Sequence, residues 1–172
     1  MNQIDPSIPQ IMKKILGEYT LELDGPHGPV HWARVYENGM RIADITDADQ
    51  EIVALFSLFH DSRRKDDGGD SGHGLRGAEL AKELRGTLYD LDDMRFKLLY
   101  DACALHTDGK TTGDITMLTC WDADRLDIGR VGIKPVPERL CTEAAKGMIE
   151  WAYQNSLDNY RPENILKMWS MK

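Results

Sequence analysis

Residues 51–60 read EIVALFSLFH, apolar nearly all the way round a helix and closed abruptly by His60 and then Asp61. A helix without a polar face belongs inside a core, enclosed by other elements. This one ends by delivering an imidazole, a carboxylate and the cationic run Arg63, Arg64, Lys65. Buried groups of that kind need partners. Asp47 with Gln50 three residues later resembles a capping box, so the helix is expected over 48–62.

The rest of the chain reads as helices able to enclose it. A short helix is expected over 7–17 after Pro6, and Pro29, closing the turn DGPHGP, suits the first turn of a helix running to about residue 45. Further helices are expected at about 73–86, 92–106 and 114–128, with Phe96, Leu99, Cys103 and His106 continuing one helical stripe in the second of these. RKDDGGDSG (64–72) and GRVGIKPVP (129–137) are loops; the first, rich in charge and glycine, is expected to shape substrate access. The C-terminal part, 138–172, should give one long helix and one short one packed on the core. No segment alternates as a strand does. The expectation is one all-α domain over 1–172, with about seven or eight helices.

Charge and composition exclude several functions. The formal net charge is −8, which repels a phosphate backbone, so a nucleic-acid polymer is not an expected partner. A small anionic substrate remains compatible if a metal or a local cationic cluster receives it. No apolar run approaches the roughly 18 residues of a membrane span, and the N-terminus lacks the apolar stretch of a signal peptide. Cys103, Cys120 and Cys141, odd in number and far apart, suit a reducing cytoplasm. Trp151, Met168, Trp169 and Met171 read as core or as an oligomer contact such as a homodimer face.

His60 and His106 both end apolar helices, whose C-terminal turns carry partial negative charge and favour a cation. Imidazole and carboxylate together suit Mn, Fe, Co, Ni or Zn. The ordered set HWARV (31–35), FHD (59–61) and DADRLD (122–127) resembles the H…HD…D pattern of the HD superfamily of metal-dependent phosphohydrolases, over roughly residues 27–130. The resemblance implies a helical HD-domain bundle and a metal held by His31, His60, Asp61 and Asp124. Periodicity alone leaves Asp122 or Asp124 open as the last ligand; the family's A-D-R-L context falls on residues 123–126 and favours Asp124, leaving Asp122 and Asp127 behind the ligands or on the surface.

His73 and His106 resemble the additional ligands of two-metal members, in which Asp61 would bridge both ions; the other reading of His73 is a capping or loop histidine. His27, in a Gly/Pro turn, reads as structural or substrate-proximal. Arg64, with Lys65 as its neighbour, matches a cation that would neutralise a phosphate oxygen. Arg34, three residues after His31, either faces the same pocket or pairs with a carboxylate at the core edge. The implied activity is hydrolysis of a small, nucleotide-like phosphate ester or anhydride by metal-activated water, with Asp61 as a proton acceptor. The alternatives are a diiron oxygenase of the same superfamily and a non-catalytic nucleotide or metal sensor.

Overall fold

In the computed structural model, residues 7–171 are described. Pro6 and the start of the segment read for a leader lie outside them, as do both ends of the 1–172 span. Nine α-helices and two short 3-10 turns account for the regular structure, and the described residues contain no strand. The chain is all-α, as expected.

The central element is α3 (Gln50–Phe59), in which every residue from Ile52 to Phe59 is buried. It packs against α2 (Pro29–Thr46), α4 (His73–Leu84), α5 (Asp93–Leu105) and α6 (Ile115–Leu126). Its N-terminus differs from expectation. Asp47 adopts left-handed backbone, φ 56°, and ends α2, while Asp49 caps α3 by accepting from the Glu51 and Ile52 N–H groups. The Gln50 amide instead donates to Asp44. The Asp49 carboxylate is held in turn by Arg95 of α5, so the cap also pins two helices together.

α1 (Ile8–Glu18) buries Ile8, Ile11, Met12 and Ile15, one helical face, on this core. Asp92 and Asp114 cap α5 and α6. The long C-terminal helix expected from about 138 is broken instead. Thr142 caps the four-residue α7 (Glu143–Lys146), Gly147 and Met148 interrupt it, and α8 (Ile149–Leu157) follows. That break, together with the short α9 (Glu163–Met168), brings the count to nine. Ile149 and Ala152 join Ile42, Leu126 and Leu140 in a second, smaller core. Trp169 is buried in the main core, while Trp151 lies under the Arg41 guanidinium. No helix among the described residues is long and apolar enough to cross a membrane.

Two close approaches set how the helices meet. A Cβ on Gly77 of α4 would stand 2.1 Å from the Phe59 carbonyl oxygen, and one on Gly74 would stand 2.4 Å from that of Cys103. Only glycine lets α4 lie against the C-terminal ends of α3 and α5. Those ends carry His60, Asp61 and His106.

Candidate metal centre

Three helices converge polar side chains on one buried point. α2 supplies His31 from its first turn, the end of α3 supplies His60 and Asp61, and α6 supplies Asp124. His31 Nε2 lies 3.1 Å from His60 Nε2 and 3.3 Å from Asp124 Oδ1, and Asp61 Oδ2 stands 3.6 Å and 3.7 Å from the two imidazoles. Beside this group is a second. His73, the first residue of α4, places Nε2 3.0 Å from His106 Nε2, and Asp61 Oδ1 is 3.1 Å and 3.8 Å from these. Asp61 therefore turns one oxygen toward each cluster.

The hydrogen bonds fix what these nitrogens offer. The Nδ1–H of His31 donates to Asp127 at 2.7 Å, that of His60 to the Phe56 carbonyl at 3.2 Å, that of His73 to the Asp70 carbonyl at 2.6 Å, and that of His106 to the Cys103 carbonyl at 2.7 Å. Each partner accepts only, so the network assigns the proton to Nδ1 in all four rings. The Nε2 lone pairs then face one another about 3 Å apart in both clusters. Lone pairs held that close repel unless a cation lies between them, and a carboxylate or carbonyl behind each ring is the usual support of a metal-bound histidine. The donor set of imidazole nitrogens and carboxylate oxygens fits a divalent transition metal. Two triads could each hold one ion: His31, His60 and Asp124, and Asp61, His73 and His106.

The electrostatics agree. Burial pushes His60 down to about 3 and also lowers His106, so both are neutral and ligand-ready at physiological pH. Burial works to raise Asp61 and Asp124, but neighbouring imidazoles overcome it: chiefly His60 for Asp61, and His31 for Asp124. Both carboxyls are held below their ordinary range. The pH dependence follows from the sign of the histidine shifts. An unfolded imidazole titrates near ~6.5, well above its folded value, so below that pH the unfolded chain binds more protons. Stability is therefore full above about pH 7 and is lost as pH falls, by up to ~1.4 kcal/mol per pH unit for each such ring. Urea unfolding of metal-stripped protein from pH 7 to pH 4 should show this decline; a flat profile would contradict it.

Among solved structures, the fold has a counterpart. The chain matches the crystal structure of a predicted HD superfamily hydrolase from an uncultured Thermotogales bacterium, with a TM-score of 0.66 and 30% identity, covering 94% of this chain and 91% of that one. The chain belongs to the HD superfamily. No protein-family model matches the sequence, and no curated protein does.

The H…HD…D residues of this HD chain are the ones that meet in the first cluster. Asp124 faces His31, whereas Asp122, fully buried, accepts from the Cys141 and Thr142 N–H groups and the Thr142 hydroxyl and so anchors the start of α7. Arg64 stands at the second cluster, with Nη1 3.0 Å from His73 Nε2 and 3.4 Å from Asp61 Oδ1, and is held by the Asp66 and Gly68 carbonyls. Lys65 is exposed, and its backbone N–H donates to Asp70. His27 is buried against Asp67, 2.9 Å away. Arg34 takes the carboxylate of its two readings: Nε donates to Asp127 at 2.7 Å and Nη1 to the Tyr160 carbonyl. It acts on the pocket through Asp127 and does not line it.

Two further residues belong to the centre. Asp127, buried, bridges His31 and Arg34 and accepts from Ser156. Arg130 lies 3.9 Å from Asp124 Oδ1, with its Nε on the Pro26 carbonyl and Nη1 on that of Asp127. Asp127→Asn removes the charge behind His31, and metal affinity should fall about 10–100-fold. A chelator-competition titration measures this; unchanged affinity would show that Asp127 only packs.

Proposed function

We propose that this chain is a metal-dependent hydrolase of small phosphate esters or anhydrides, nucleotide-like in size. The observation that carries this reading is Asp61, one carboxylate shared between two histidine clusters whose Nε2 atoms converge. His31, His60, Asp61 and Asp124 would hold one divalent ion and His73 and His106 a second, and the bound metal would supply a Lewis acid that lowers the pKa of water toward neutral and polarises a phosphoryl oxygen. The protein's own groups do the rest. Asp61 and Asp124, held below their ordinary range, accept hydrogen bonds from that water and orient it while its proton passes to solvent. Arg64 and Arg130 flank the two clusters from different sides and offer fixed guanidinium donors to phosphate oxygens as charge builds there. Asp127 keeps the His31 ring in register.

The 64–72 loop supports this reading through Arg64, since the Gly68 carbonyl accepts from its Nη2 at 3.0 Å. Deleting Gly68 and Gly69 removes one of the two carbonyls that hold that side chain and none of the proposed ligands, so KM should rise severalfold while metal content stays constant. An unchanged KM would count against the loop's role.

The test is phosphate release from a panel of nucleotides and phosphomonoesters by metal-stripped protein given Mn, Co, Ni, Mg or Zn in turn. The hydrolase reading expects release that requires a metal and disappears in His60→Ala. The two-sided placement of Asp61 also favours a second reading, a diiron oxygenase, because the same donors suit iron. No release with any metal, together with tightly held iron and oxygen uptake, would select it.

A further inference from the structure

The loop that follows the last ligand helix borders a cavity. A cavity of about 590 Å³ opens beside the centre, starting at His106 and bounded by Arg125, Ile128, Ile133, Val136 and Arg139. That volume lies in the range of small-molecule sites. Its lining includes three cations, Arg125, Lys134 and Arg139, and no carboxylate, although acidic residues outnumber basic ones 29 to 21 in the chain. Its wall is apolar and open: Ile133 is 54% and Val136 46% exposed. Large apolar side chains presented together on a loop, rimmed by charge, mark a surface made to be covered.

The cations are not all equivalent. Lys134 is taken up by Glu150, 2.5 Å away on α8, and lies near the Tyr153 ring. Arg125 donates through Nη1 to the Arg139 carbonyl, while its Nη2, shielded from solvent, has no hydrogen-bond partner. Arg139 is exposed. An anionic molecule would pair with the exposed Arg139, and an apolar body would cover Ile128, Ile133 and Val136.

We propose that this cavity is the specificity subsite for the non-reacting part of the substrate, and that the substrate class is organic phosphates with an apolar, aryl-sized body. This rests on the phosphohydrolase reading for the placement of the phosphoryl group at the metal clusters. The apolar body lies along the 128–136 loop, and the basic rim admits the anion and turns away cationic analogues. Selectivity then comes from the loop, which carries none of the proposed metal ligands.

Binding of two phosphonates that have no ester bond, benzylphosphonate and methylphosphonate, to the Mn-loaded protein tests this by calorimetry. The subsite predicts at least tenfold tighter binding of the benzyl compound, about 1.4 kcal/mol. Ile133→Asp sets a carboxylate in an exposed part of the wall and should equalise the two, with metal content unchanged. Ile45→Asp, the same change at an exposed residue remote from the cavity, should keep the preference. Equal affinities in the parent protein, or a preference that survives Ile133→Asp, would overturn the proposal. Failure of the hydrolase reading would show separately, as absent phosphate release with the benzyl preference intact.

Discussion

Asp61→Ala protein is expected to hold no stoichiometric metal after desalting and to release phosphate no faster than metal-free protein. The substitution differs from loss of any other ligand because Asp61 alone serves both clusters, Oδ2 toward His31 and His60 and Oδ1 toward His73 and His106. Without it the second cluster keeps only two imidazoles, and the first keeps three groups around a widened gap. Arg64 also loses its charged partner and is left beside His73. Asp124→Ala, by contrast, should spare the second cluster. Metal analysis of both variants, with circular dichroism to confirm that they are helical, decides the matter. Asp61→Ala protein that retains one equivalent of metal would show that the clusters are independent.

Gly77→Ala should have the largest effect of any single methyl group added to the chain. Its Cβ would meet the Phe59 carbonyl oxygen at 2.1 Å and the His60 carbonyl oxygen at 3.2 Å, both backbone atoms that cannot swing aside. α4 must back away from the end of α3. Overpacking of this kind costs about 1–3 kcal/mol, which in a chain of this size lowers Tm by roughly 2–12 °C. The displacement carries His73 with it, so metal at the second cluster should weaken more than at the first. Gly17→Ala makes the control, since nothing lies within 4 Å of its added methyl and alanine favours a helix interior. A Gly77→Ala protein that melts like the parent would mean that α4 does not fix the second cluster.

The residues readable in advance were those whose chemistry conflicts with their surroundings. A wholly apolar helix ending in His60 and Asp61 announces a buried polar site, and the stripe through Leu99 and Cys103 to His106 brings a second imidazole inward. Asp127 and Arg130 were harder to assign because they lie where α6 tightens into a 3-10 turn, Asp127–Val131. Only the folded chain brings that turn to His31, 96 positions earlier. The i, i+3 spacing of Asp124 and Asp127 was the available signal. Local errors have local causes. Asp47 and Asp49 are both plausible caps, and the choice fell to the one that Arg95 reaches from another helix. The C-terminal helix read as continuous because Gly147 alone does not force a break; the Thr142 cap bound to buried Asp122 starts α7 at a fixed point and sets where it ends. The cavity under the 128–140 loop was legible only as glycine and proline punctuation, since a pocket exists only between elements.

The most direct test is one titration of metal-stripped protein with Mn, following bound metal and phosphate release together on the best substrate of the panel. The account predicts that release rises with occupancy and that His60→Ala abolishes release together with the metal held by the first cluster. Phosphate release that ignores metal, or His60→Ala protein that binds metal as tightly as the parent, would contradict it.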